Sequence, residues 1–422
     1  MLKAIHRAKF VLAEPDLLLQ NSAVYISNPG RISRIEPWQD PPIVPEVAVI
    51  NWGSALIMPG LINAHAHLEL TAFKDQLTRF RSFTDWISQL MDRRRLWTKE
   101  DFLNSIREGA EAAISSGTTL VGDVTASGFG WEAALNGSLR RVIFEEAVAL
   151  SPEKADEITS KLESHLALSP HDPLLIHGIS PHAPYSVSPE LYRRLAEMSR
   201  RLGLLLATHV AETASEIQFL QSGTGEFKDF LIELGVLPET WTPPRLRPIP
   251  YLDSLGVLGP SCILIHGNYL GPESMNRILN TRSSVVYCPR SHDFFGHEKH
   301  PIRQLLDFGI NVGLGTDSLA SNSSLSMLDE MRYLFKIRKD IKSEEILRTA
   351  TLNGAAALSF GGVLGRLRRG YWADLTVLGL PENLTPRQLL NQVLEGAGKC
   401  IATIVQGNVV WNDEKCRDQG SG

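Results

Sequence analysis

The sequence predicts an α/β protein, a distorted (β/α)8 barrel that carries a small β-sandwich built from the two ends of the chain. Three observations carry this. Short apolar runs alternate with helix-period segments through the middle of the chain. Both ends are instead rich in short strands broken by turn residues. Histidines and acids recur where the central apolar runs stop, which is where a barrel of this kind places its chemistry.

The first 58 residues contain FVLA, LLLQNSAVYI, RISRIE and VAVIN, separated by Pro, Gly and Asn. These read as short strands and turns. The segment from Tyr371 is similar, with ADLTVLGL and then TIVQGNVVW. Chain ends often lie close together, so both segments can form one sheet domain. The expected division is residues 1–58 for the first part of the sandwich, 59–362 for the barrel, and 363–422 for the second part and the tail.

The eight candidate barrel strands are LINAH, TTLVGDV, RRVIFEEAVAL, LLIHGIS, GLLLATHV, CILIHG, SSVVYC and INVGLGTD. Most lack clean alternation, as expected of strands buried on both faces. DFLNSIREGAEAAISSG spaces Phe102, Ile106, Ala110 and Ala113 at helical intervals. SPELYRRLAEMSRRLG opens on Ser-Pro and closes on Gly203, and SLSMLDEMRYLFKIRK is a further amphipathic stretch. An open doubly wound sheet is the competing fold, but no GxGxxG follows the first strand. Between the fifth and sixth strands, Thr240–Pro250 reads TWTPPRLRPIP. Such a loop is equally a cover over a site or a stiff surface excursion.

With 42 Lys and Arg against 47 Asp and Glu, the net charge of −5 gives no basic excess for nucleic acid. The run Arg93, Arg94, Arg95 is read as a solvated helix face. Cys262, Cys288, Cys400 and Cys416 form no CxxC pair, so neither a thiolate metal cluster nor a redox pair is suggested, and so few cysteines fit a reducing compartment. The N-terminal MLKAIHRAKFVLAEP is interrupted by charge, and no run of eighteen apolar residues exists. A cytoplasmic protein without membrane contact is expected.

His65 and His67 close the first barrel strand in PGLINAHAH. His177 and His182 follow the fourth in HGISPHAPY. His209 and Glu212 end the fifth in THVAE, His266 ends the sixth, and Asp317 ends the eighth in GLGTDS. Strand residues two apart share a face, so His65 and His67 can aim at one point. Three imidazoles and a carboxylate with a position left for water are the donor set of a catalytic divalent metal. One such histidine would be an ordinary buried polar residue; several at successive strand ends are not.

Together these motifs resemble the amidohydrolase superfamily, in its cytosine-deaminase-like and chlorohydrolase-like branch. PGLINAHAHLE is similar to the first metal motif, THVAE to the HxxE motif, GLGTDSLASN to the strand-eight motif, and LGRLRRGYWADLTVL to the return into the sandwich. The resemblance implies one divalent cation per chain, zinc first, with iron or manganese sharing the ligand set. His65, His67, His209 and Asp317 match the ligands. Glu212 matches the proton-shuttling glutamate, and His266 matches the histidine near the activated water. Asp317 also takes part in catalysis as acceptor for that water. Relatives with two metals carry a bridging lysine on the fourth strand, where this chain has LLIHGISPHAP. A metal at this site would make water a nucleophile at neutral pH.

The substrate reading is hydrolytic deamination of an aminopurine. HAHLE, with Glu69, and CPRSHDFFGH resemble aminofutalosine deaminases; related branches act on S-adenosylhomocysteine, methylthioadenosine or guanine. His182 matches a purine-contacting histidine, and Trp86 an aromatic wall. Arg290, Ser291, His292 and Ser318 are expected to face the mouth. Arg290 and His292 are expected to bind a carboxylated or hydroxylated tail, with Thr240–Pro250 closing over it. The partner expected is a small molecule, and a homodimer is compatible with this. The alternatives are a cyclic-amide or chlorotriazine hydrolase of the same superfamily and a non-catalytic scaffold relative.

Overall fold

The computed structural model describes residues 1–39, 47–77 and 80–413; the tail from 414, with Cys416, lies outside them. Five strands come first: β1 (Leu2–Glu14), β2 (Leu17–Ser27), β3 (Arg31–Pro37), β4 (Ala48–Asn51) and β5 (Ala55–Pro59). Eight follow with helices between them: β6 (Leu61–Ala66), β7 (Thr118–Thr125), β8 (Arg140–Ala147), β9 (Leu175–Pro181), β10 (Leu205–Val210), β11 (Cys262–His266), β12 (Ser284–Tyr287) and β13 (Val312–Leu314). The last three are β14 (Leu375–Gly379), β15 (Lys399–Val405) and β16 (Asn408–Asn412).

Strands β6 to β13 pair in chain order and all in parallel. A bridge between Ala66 and Asp317 brings the two edges together, so the sheet is a nearly closed barrel. The eighth candidate strand, INVGLGTD, is regular over only three residues. Its polar end leaves the ladder, and this sets the position of Asp317.

The expected sandwich takes the form of one mixed sheet in the order β16-β15-β14-β5-β1-β2-β3, with β4 beside β1. Alternation along β1 and β5 explains how it attaches. Phe10, Leu12, Leu56 and Met58 face one way and join the large core that includes the barrel helices. Val11, Ala13, Ala55 and Ile57 face the other way and pack with Val377, Ala402 and Ile404 in the sheet's own core. The C-terminal run TIVQGNVVW is a hairpin. Gln406 and Gly407 both have positive φ, +48° and +69°, as a two-residue turn with the native strand twist requires.

The expected helices form for local reasons. The helix Pro189–Leu202 has Ser188 accepting from the Leu191 amide and ends on Gly203 at φ +67°. The helix Lys99–Ser115 opens with a capping box between Thr98 and Asp101.

Candidate active site

The C-terminal ends of the barrel strands bring His65, His67, His209, His266, Glu212 and Asp317 together. Rings of His65 and His67 meet edge-on with centroids 4.8 Å apart. His67 Nε2 lies 3.2 Å from His209 Nε2. Thr316 and Asp317 each donate a backbone N–H to His65 O, at 3.0 and 3.1 Å. A Cβ on Gly315 would fall 2.7 Å from the same oxygen, so glycine permits this close approach. Asp317 takes a left-handed φ of +59°. Its Oδ1 lies 3.5 Å from His65 Nε2 and 3.7 Å from His67 Nε2. Its Oδ2 accepts from the hydroxyls of Ser291 and Ser321 at 2.7 and 2.8 Å.

The donor set fits a divalent cation. Both ring nitrogens of His65 are buried and make no hydrogen bond, which is costly in a protein interior. His209 Nδ1 lies 3.0 Å from the carbonyl of His182. A carbonyl only accepts, so this nitrogen carries the proton and Nε2 keeps a free lone pair. Potential ligand atoms of His65, His67 and Asp317 lie within 4.8 Å of one another, as do those of His65, His209 and His266. Imidazoles with one carboxylate suit a first-row divalent metal such as zinc or iron.

Beyond β10 the chain turns sharply, with Ala211 at φ +50°. The buried carboxylate of Glu216 accepts from the amides of Ala211 and Glu212 at 3.0 and 2.9 Å. Thr213 caps the helix Ala214–Ser222 that begins there. This turn presents Glu212, whose Oε1 lies 3.3 Å from His266 Nε2. Asn268 Nδ2 donates to Glu212 O at 2.9 Å, and His292 Nδ1 donates to Asn268 Oδ1 at 3.0 Å.

Burial lowers His65 to about 4 and His266 to about 3, and it holds His209 well below the usual value. Burial pushes Glu212 well above the ordinary carboxyl range, and Asp317 and Glu216 add to this. Burial opposes the charge on Asp317 too, but His65 and the neighbouring imidazoles outweigh it and hold that carboxyl well below its usual value. Two nearby acids are thus driven apart, one toward the protonated and one toward the ionised form.

Residues 56–410 match the Amidohydrolase family. The chain belongs to that family. A 5-methylthioadenosine/S-adenosylhomocysteine deaminase of Nitratidesulfovibrio vulgaris is 31% identical over 86% of this chain and 82% of its own length. One of the same name from Pyrococcus furiosus is 28% identical over 97% and 93%. The aminofutalosine deaminase of Helicobacter pylori, crystallised with methylthio-coformycin, shares the fold with a TM-score of 0.86 at 22% identity, over 97% of this chain and all of that one. Family and relatives mark this amidohydrolase as a hydrolase acting on carbon–nitrogen bonds.

Over the polar cluster the amidohydrolase has a cavity of about 700 Å³. His182, Trp86, Glu69 and Ser318 all line it. Glu69 is 1% exposed, and its carboxylate accepts from Arg94, Thr125 and the amides of Ala126 and Ser127. Arg94 therefore lines the cavity as Glu69's partner, rather than standing on a solvated face.

Four expectations are corrected. Arg290 does not line the cavity. The chain turns into the helix Pro289–Phe294, where the Arg290 guanidinium reaches Ser323 and its amide reaches Glu330. His292 is also off the cavity, buried behind Asn268. The cavity wall expected from Thr240–Pro250 is supplied instead by Phe230, Leu234, Val236, Leu237 and Pro238. His177 lies within β9 and stacks on Trp131 with centroids 3.7 Å apart, away from the mouth.

Asn268, Glu216, Arg94 and Glu146 also belong to this neighbourhood and escaped the sequence reading. Glu216 had a signal, since it follows HxxE by one helical turn. Asn268 had none beyond lying two residues after His266.

Proposed function

We propose that this amidohydrolase removes the 6-amino group of an aminopurine nucleoside by hydrolysis, releasing ammonia. One observation carries the reading: His65, whose two ring nitrogens make no hydrogen bond, stands with His67, His209 and Asp317 beside the His266–Glu212 pair at the floor of a roomy cavity. The deaminase relatives support the choice of reaction. His65, His67, His209 and Asp317 would hold one divalent cation, zinc by the chemistry of the donors. When bound, it would activate a water as the nucleophile.

The protein's own groups manage the protons. Glu212, whose carboxyl burial pushes toward the neutral form, gives its proton to the ring nitrogen next to the amino-bearing carbon. Its carboxylate then takes a proton from the attacking water and returns it to the departing amine. Water adds to carbon, the carbon–nitrogen bond breaks as ammonia leaves, and the remaining hydroxyl proton of the adduct passes to the Glu212 carboxylate, which regains its starting state. His266, neutral and 3.3 Å from Glu212, orients the water. Asp317 Oδ1 accepts from it, with Oδ2 held by two serines. His182, anchored through Nδ1 at 2.6 Å to Ser186 Oγ, offers its other edge to the purine. Trp86, with Nε1 toward Ala320 O, walls the ring.

An ammonia-release screen of adenine nucleosides, guanine, chlorotriazines and cyclic amides tests this. Turnover confined to aminopurines is expected; turnover confined to the others overturns it.

A further inference from the structure

The third barrel strand carries a carboxylate that neither the metal reading nor the proton shuttle uses. Phe144 on β8 packs with Ala64 and Leu120 inside the barrel. Glu146, two residues on, faces the same way at the strand's C-terminal end. Its neighbour Glu145 faces outward, where its Oε2 lies 2.6 Å from His165 Nδ1. Glu146 lines the cavity, and its Oε1 is buried with no hydrogen-bond partner. A carboxylate oxygen of Glu146 lies within 4.8 Å of ring nitrogens of His182 and His209.

An unpaired buried acceptor is costly, and a ligand that donates to it removes the cost. The cations nearby do not serve this purpose. Arg94 is engaged by the buried Glu69 at 2.8 Å, and Lys154 is solvent-exposed at the rim. The outer cavity wall is apolar, with Ile87, Leu90 and Val236. Among the described residues, none in this half of the cavity offers an uncompensated buried positive charge to an anion.

Resting on the aminopurine deaminase reading, we propose that Glu146 is a specificity-determining residue. Its carboxylate accepts hydrogen bonds from hydroxyl donors on the sugar of an uncharged nucleoside and turns away extensions that end in a carboxylate. Like charges repel, the more so beside an apolar wall, so the same side chain recognises one class and rejects the other.

The test uses the metal-loaded enzyme and three matched 6-aminopurine nucleosides: one with its sugar hydroxyls, its 2′,3′-dideoxy counterpart, and one with a carboxylated 5′ extension. Glu146→Ala should lower kcat/KM by about 10- to 100-fold for the hydroxylated compound, the scale of a hydrogen bond to a charged group. It should leave the dideoxy compound almost unchanged. Glu146→Gln should raise kcat/KM for the carboxylated compound, because it removes the charge and keeps the shape. Equal losses on hydroxylated and dideoxy compounds, or no gain on the carboxylated one, overturn the assignment. So does loss of bound metal from Glu146→Ala, which would make the residue a ligand. A wild-type enzyme that releases ammonia from none of the three overturns the deaminase reading as well. Wild-type turnover without these contrasts overturns Glu146 alone.

Discussion

His6 in the mixed sheet and His65 in the barrel mouth are each 1% exposed, and burial lowers each to about 4. Their surroundings separate them. His6 Nδ1 accepts from Trp52 Nε1 at 3.2 Å, and the two rings stack. Neither nitrogen of His65 has a hydrogen-bond partner, and three further imidazoles and a carboxylate converge on it. Depth and a depressed basicity are therefore shared by a structural histidine and a site histidine. The distinguishing feature is whether the lone pairs are spoken for: a single unpaired atom is tolerated in many places, but an imidazole with both nitrogens unpaired among three others and a carboxylate is suited to holding a cation.

The widest effect expected from this contrast is on metal and turnover together. His65→Ala should abolish both, read by elemental analysis and ammonia release on the same sample, whereas His6→Ala should keep both. A His65→Ala enzyme that keeps its metal and its rate would erase the distinction. Next comes the proton shuttle. Glu212→Gln should retain fold and metal yet lose about 10²- to 10⁴-fold in kcat, the range for a positioned acid–base group. A rate near wild type would remove Glu212 from the shuttle.

Smaller effects belong to the sheet. His6→Ala takes away the acceptor of the Trp52 indole and should cost about 1–3 kcal/mol in chemical unfolding. Its pH dependence has a definite sign. Folding lowers His6 from 6.5 to about 4, so its contribution to stability is fully present above pH 6.5 and is lost as the pH falls through that value toward 4. The stability gap between wild type and His6→Gln should narrow as the pH falls from about 6.5 toward 4. A constant gap would show that His6 does not titrate with folding. The smallest change is expected at Arg290, which faces Ser323 and Glu330. Arg290→Ala should leave kcat/KM unchanged for neutral and anionic substrates alike.

The alternation of buried strands with capped helices was legible, because each rests on local rules. A strand repeats every two residues, and Ser188 or Gly203 marks a helix end whatever surrounds it. The same locality made the convergence readable: His65 and His67 share a face by spacing alone, and THVAE places Glu212 three residues beyond His209, where the strand ends. Less was legible in the second layer. Asn268 and Glu216 act through the backbone of Glu212, and such contacts leave no periodic mark.

By itself, then, the sequence determined the barrel, the end sheet and the set of polar side chains at the strand ends, since short-range periodicity and donor chemistry specify them. Only the tertiary structure decided which side chains look into the cavity. Arg290 turns away with its short helix, and the segment around Phe230–Pro238 takes the wall expected of Thr240–Pro250. Glu146 is left inside with an unpaired oxygen, and Arg94 is drawn in by Glu69. The physical reason is that the direction of a loop or a strand-end side chain follows from long-range packing against distant elements, which no local pattern encodes.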